Sequence, residues 1–142
     1  MLTTALGEEL HGMTANAVCS VSLDPLLVLV CVNKQARTHP VLTKSGVFGV
    51  NVLGEGQEQV SRLFADDSAD SEHNLTGLAY RRGVTGAPIL EDCLAYVDCR
   101  VVATYPAGDH TIFVGAVEDA GVLRDGRPLI FFRGGYGLNR TR

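Results

Sequence analysis

Apolar and polar positions alternate in short runs along most of the chain, and clusters of glycine, proline, asparagine and aspartate punctuate them. Residues 1–9 read as the tail of a strand followed by a turn. Residues 13–21 mix Thr, Val and Ser with small residues and predict a strand, which Asp24-Pro25 breaks. Residues 26–32 form an unbroken, β-branched-rich run, which predicts a strand buried on both faces. Thr38 is placed to cap a short helix that tolerates Pro40 in its first turn, turns Val41 and Leu42 inward and stops at Gly46. Residues 47–53 predict a strand with Phe48, Val50 and Val52 on one face. Residues 55–65 are amphipathic, with Val60, Leu63 and Phe64 at helical spacing.

The second half continues in the same manner. The acidic run 66–74 predicts a mobile surface loop, and residues 81–88 a glycine-punctuated turn. Residues 93–105 alternate: Leu94, Tyr96, Asp98, Arg100, Val102 and Thr104 fall on one face, and Ala95, Val97, Cys99, Val101 and Ala103 on the other. A turn at residues 106–109 leads into a return strand at 110–117, making a long hairpin. Residues 124–128 predict another tight turn, 129–132 a last strand, and 133–137 a flexible close. About six strands, two short helices and regular turns predict a mainly β fold, a small antiparallel barrel with helices over its openings, in one domain spanning residues 1–142.

Composition narrows the function classes. Hydrophobic residues are 46%, enough for a core, while charged residues are only 20%, which points to a core or subunit interface that consumes surface. The net charge of −4 and the lack of a basic run argue against nucleic acid. The longest apolar run is too short to span a bilayer, and no leader opens the chain, so neither membrane nor secretion is expected. Cys19, Cys31, Cys93 and Cys99 form no CxxC pair. They read as small buried hydrophobes in a reducing cytoplasm, with Cys31 the one nearest a candidate site, and not as zinc ligands. His11, His39, His73 and His110 are scattered, and no metal is expected. There is no GxGxxG after a strand, no phosphate-binding P-loop and no nucleophile elbow around Ser20 and Ser22. Hydride transfer between two cofactors needs none of these. It needs a surface that stacks two rings in contact. The small polar residues of 12–22, backed by the apolar run 26–32, make such a shelf.

The segments GMTANAVCSVSLDP, LVLVCVN, RTH, FGVNVL, TGAPIL, GDHTIFVGAV and PLIFFRGGYG occur in this order. Together they resemble the short-chain flavin reductase family, which has the FMN-binding split-barrel fold. The resemblance covers nearly the whole chain. It implies a homodimer that binds FMN or FAD, oxidises NADH or NADPH and releases reduced flavin, commonly to a separate monooxygenase. On the family pattern, Thr14, Ala15, Asn16 and Ala17 hold the isoalloxazine edge. Ser20, Val21 and Ser22 lie beside the ribityl chain and phosphate, and Cys31, Val32 and Asn33 lie farther along the flavin. Arg37 and Thr38 contact the phosphate, which agrees with the charge and free N–H groups expected at a helix start. Gly108, Asp109 and His110 match the nicotinamide-side motif, with His110 as the catalytic, orienting residue. Phe131, Phe132, Arg133, Gly134 and Tyr136 match a segment near the same pocket.

The pattern also departs from the family. The helix and part of the strand that usually come first are missing, Leu26 replaces a second proline, and His73-Asn74 stands where a Lys-Phe pair is common. Taken singly, each residue has a plainer reading: Arg37 as a solvated cation, His110 as a surface histidine, Asn16 as a strand-end residue, Tyr136 as barrel packing. A different class is also compatible with the sequence, a flavin-binding or electron-carrier barrel without NAD(P)H activity. A barrel that takes haem or another ring system is a third reading.

Overall fold

The computed structural model describes residues 1–66, 68 and 73–137. Its centre is a seven-stranded, wholly antiparallel sheet made by β1 (Leu2–Leu6), β2 (Glu9–Met13), β3 (Val18–Leu23), β4 (Leu26–Asn33), β5 (Val47–Val52), β8 (Ala95–Ala107) and β9 (His110–Val122). The strand order is β2-β1-β5-β8-β9-β4-β3. The edges β2 and β3 do not pair with each other, so hydrogen bonding does not close the sheet into the expected barrel. Two short strands, β6 (Tyr80–Arg82) and β7 (Pro88–Leu90), form a small hairpin, and β10 (Phe131–Phe132) pairs with β11 (Gly135–Tyr136).

Two helices cover the sheet. Helix α1 (Thr38–Ser45) buries Val41 and Leu42 and ends where Gly46 adopts a left-handed φ of 66°, as its sequence predicts. Thr38 is not its cap, however. Arg37 occupies the cap position without a side-chain cap bond, and Thr38 is the first helical residue. Its hydroxyl is taken by His11 Nδ1 at 2.7 Å. Helix α2 (Glu58–Ala65) follows a single 3-10 turn and buries Phe64 as expected, but Leu63 is half exposed and the second buried residue is Ser61. Leu2, Val30, Val32, Leu42, Phe48 and Phe113 form one core cluster, and Phe64, Leu75, Ile89, Leu90 and Tyr96 belong to another. Burying each large side chain contributes roughly 1.5–3 kcal/mol.

Several sequence expectations change. The strand expected at 13–21 is two strands, β2 ending at Met13 and β3 starting at Val18, with residues 14–17 between them as a loop. The run 26–32 is not buried on both faces: only Val30 and Val32 are buried, because the β3–β4 hairpin projects past the core. The alternation in β8 is interrupted where Asp98 pairs with Asp119 but Cys99 with Val117, so Glu118 is an extra residue, and Val102 is extra in β8 itself. Tyr96, Asp98 and Cys99 are consequently all buried. Strand β9 runs five residues beyond its expected end at residue 117. The strand expected at 129–132 reduces to Phe131–Phe132, and the flexible close contains its partner, Gly135–Tyr136. Of the acidic run 66–74, residues 67 and 69–72 lie outside the described residues. Within the same run His73 is buried, with Nδ1 3.0 Å from the Gly12 carbonyl oxygen and Nε2 2.6 Å from that of Asp66. Cys93 and Cys99 are buried small hydrophobes, but Cys31 is only half-buried and Cys19 is exposed on the edge strand.

Candidate functional site

The loop at residues 14–17 is fixed from both sides. The Thr14 N–H donates to the Phe64 carbonyl at 2.9 Å, and Thr14 Oγ1 donates to the Ser61 carbonyl at 2.6 Å, which ties the loop to α2. On the sheet side, the Ala17 carbonyl accepts from the Cys31 N–H at 3.0 Å, and the Asn16 carbonyl accepts from Val18 at 2.9 Å. The N–H groups of Ala15, Asn16 and Ala17 meet no acceptor among the described residues. Thr14 therefore has its donors committed to the fold, while the N–H groups of its three successors are left unclaimed by the described residues. Thr14, Ala15 and Asn16 also line a cavity of about 530 Å³ that is walled by Val50 and Val52 of β5, Ser61 of α2 and Phe131 and Tyr136 of the C-terminal hairpin. The lining is largely apolar, with asparagine amides and hydroxyls as its polar side chains.

A second group gathers at the end of β4. Cys31 pairs in register with Ile112 and Asn33 with His110, and the Lys34 N–H donates to the Asp109 carbonyl at 2.8 Å. The β8–β9 turn of Gly108 and Asp109 thus sits two residues along the strand from the point where Ala17 meets Cys31. His110 Nδ1 lies 2.7 Å from Asp109 Oδ1, and this contact holds the Asp109 carboxyl below the usual carboxylate range. Val32 points into the core, so its contribution to a ligand is limited to its backbone. Asn33 Oδ1 accepts from the Gln35 N–H at 2.8 Å, which shapes the turn leading to α1. There Arg37 donates to the Ser68 carbonyl, and Thr38 is buried against His11.

The remaining expected residues are spread on either side. Ser20 and Val21 are exposed on β3 and Ser22 is half-buried, and the register shift between Ser20 and Ser22 makes Val21 a bulge that turns the strand edge. Phe131 and Tyr136 line the cavity, whereas Phe132 is largely exposed, and Arg133 (φ 52°) and Gly134 (φ 75°) form the left-handed turn between them. Neither Gly108, Asp109 nor His110 lines the cavity. The residues expected on the nicotinamide side therefore fall into two groups, one at the β8–β9 turn and one at the C-terminal hairpin. Sequence reasoning missed Ser61 and Asn51. Ser61 had a signal: on an amphipathic helix, a residue three before Phe64 shares its buried face. Among the described residues no group of three or more His, Cys, Asp or Glu could hold a metal ion.

Residues 1–138 match the family model of the flavin reductase like domain. The chain belongs to this family. It is 44% identical over 139 residues to an NADH-dependent flavin reductase of a Rhodococcus species, covering 96% of this chain and 76% of that protein. It is 43% identical over 137 residues to the reductase component of 4-hydroxyphenylacetate 3-monooxygenase from Thermus thermophilus, covering 96% and 84%. Among solved structures, it is similar to the Streptomyces globisporus NADH:FAD oxidoreductase SgcE6 in complex with NAD and FAD fragments, with a TM-score of 0.85 and 37% identity over 99% of this chain and 85% of that one. The flavin reductase PheA2 superposes with a TM-score of 0.85 at 38% identity, over 96% and 85%. Membership makes the chain an oxidoreductase of the flavin reductase class.

The residues in place suit a flavin. Three unclaimed N–H groups suit the acceptor-rich edge of an isoalloxazine. The apolar cavity beside them accommodates a flat ring, and the Arg37 guanidinium at the start of α1 is a cation suited to a phosphate.

Proposed function

We propose that this chain is an NADH-dependent flavin reductase that passes reduced flavin, FMN or FAD, to a separate monooxygenase component. The observation that carries the reading is the tethered loop at 14–17, whose unclaimed N–H groups lie beside both an apolar cavity and strand β4, which ends opposite His110. Relatives named as NADH-dependent reductases and as reductase components of monooxygenases support it. When bound, the flavin supplies the acceptor, at N5, for the hydride from nicotinamide C4.

The residues of the chain bind and orient. Ala15, Asn16 and Ala17 hold the ring edge with backbone N–H groups. Ser20, Val21, Ser22 and the strand end at Cys31, Val32 and Asn33 flank the tail, and Arg37 meets the phosphate. Thr38 acts from behind, through His11, by fixing the first turn of α1. Because Asp109 occupies His110 Nδ1, the ring is held with Nε2 free to meet the carboxamide or ribose of the nicotinamide. No protein-borne intermediate is needed, so His110 orients and does not act as a base.

The working form is a homodimer. Val21, Leu23 and Leu26 are exposed on the β3–β4 hairpin and Val102 and Tyr105 on β8, and an apolar, exposed edge strand favours association. A cytoplasmic location accords with the four free cysteines.

The test mixes purified protein with NADH or NADPH and with FMN, FAD or riboflavin in turn, and follows the loss of nicotinamide absorbance. Flavin-dependent oxidation is expected. Flavin binding without turnover would replace this reading with an electron carrier.

A further inference from the structure

Helix α2 contributes one buried hydroxyl to the site, and it is placed between the two walls of the cavity. Ser61 is 3% exposed. Its backbone carbonyl accepts the Thr14 hydroxyl at 2.6 Å, and its own Oγ lies 2.9 Å from the Tyr136 hydroxyl. The residue therefore touches the loop at 14–17 through its main chain and the C-terminal hairpin through its side chain. The segment leading into the hairpin is anchored to the sheet side, where the Leu129 N–H donates to the Leu53 carbonyl at 2.8 Å and the Glu55 N–H to the Arg127 carbonyl at 2.9 Å, so the Ser61 contact is the side-chain hydrogen bond that ties the hairpin to α2. The hairpin is two residues long on each arm, and Phe131 and Phe132 are both exposed by about half or more. Arg62 adds a cation 4.6 Å from the Tyr136 ring centroid while it pairs with Glu58 at 2.7 Å.

We propose that Ser61 is a positioning residue for the reaction: its hydroxyl pins Tyr136, and so sets the distance between the hairpin wall and the flavin shelf. Resting on the flavin reductase reading above, this makes the hairpin the surface against which the nicotinamide is held, with its placement referred to the shelf through one helical residue. The two connections are separable. Ser61→Ala removes the hydroxyl but keeps the carbonyl that holds Thr14, so it frees the hairpin and leaves the shelf intact. Tyr136→Phe removes the same hydrogen bond from the other side and keeps the ring.

Both single variants should raise the KM for NADH about fivefold, the size expected for one neutral hydrogen bond, with kcat near wild type. The double variant should be no worse than either single one, since both delete one interaction. Limited trypsin cleavage after the exposed Arg133 should accelerate by a similar factor in each, a readout that needs no turnover. Unchanged KM in both single variants, or effects that multiply in the double, would overturn the proposal. A wild-type protein that oxidises no NADH would instead remove the reading on which it rests, whatever the cleavage rates.

Discussion

Arg37 and Cys99 illustrate how a side chain's surroundings decide what it can do. Arg37 donates to the Ser68 carbonyl, so it already has a structural role beside the start of α1. If it also meets the flavin phosphate, Arg37→Ala should weaken FMN binding by roughly ten- to a hundredfold, the range for a charge-assisted contact, and leave riboflavin affinity unchanged. Equal loss for both ligands, measured by fluorescence titration, would assign Arg37 to the loop alone. Cys99 is fully buried, and burial, followed by the nearby Asp98 and Glu118 charges, pushes its thiol from 9.0 up to about 12. Between those two values the unfolded chain has released a proton that the folded chain keeps. Stability should therefore fall as pH rises through this window, with a limiting slope of about 1.4 kcal/mol per pH unit from this residue. Urea melts of wild type and Cys99→Ala from pH 8 to 11 would check it: the variant should show the shallower decline.

At the level of elements, close contact between β9 and its neighbours fixes more than propensity does. A Cβ at Gly115 would stand 2.5 Å from the Phe48 ring, and Phe48 is completely buried. Gly115→Ala should cost about 1–3 kcal/mol through overpacking, visible as a lower Tm, whereas alanine at Gly56, where the space is open, should leave the Tm nearly unchanged. This dependence on neighbours also explains which elements could be read from the sequence. Helix α1 was legible because Val41, Leu42 and Gly46 are local signals, and so was the hairpin turn, although Pro106 and Ala107 belong to β8 and the turn is only Gly108-Asp109. The break at residues 14–17 was not, since Thr-Ala-Asn-Ala suits a strand and only the carbonyls of Ser61 and Phe64, far along the chain, draw Thr14 out of it. Thr38 looked like a cap until His11, 27 positions away, claimed its hydroxyl. The expected strand stopped at residue 117, yet β9 runs on to Val122, and Asp119 accepts from the Tyr96 hydroxyl at 2.7 Å across the sheet. The ordered motifs singled out residues 14–17 and the 108–110 turn, which the sheet joins through β4, whereas Ser61 on α2 lies in no family motif and its only sequence signal is its spacing from Phe64.

For the molecule as a whole, the open question in solution is what covers β3. Its residues are almost all exposed, and Leu23 is 89% so. Light scattering at micromolar concentration should report a dimer, and a Val21→Glu/Leu23→Glu double variant should shift it to monomer while keeping the far-ultraviolet circular dichroism of the sheet. A wild-type monomer would remove the dimer from the functional reading. The order of strands carries a separate consequence for how the molecule is made. β4 lies between β3 and β9, and the register partner of Asn33 is His110. During synthesis on the ribosome, the β3–β4 hairpin has no sheet to join until the chain has grown past residue 110. The β3–β4 hairpin therefore joins the rest of the sheet only after β9 has been made.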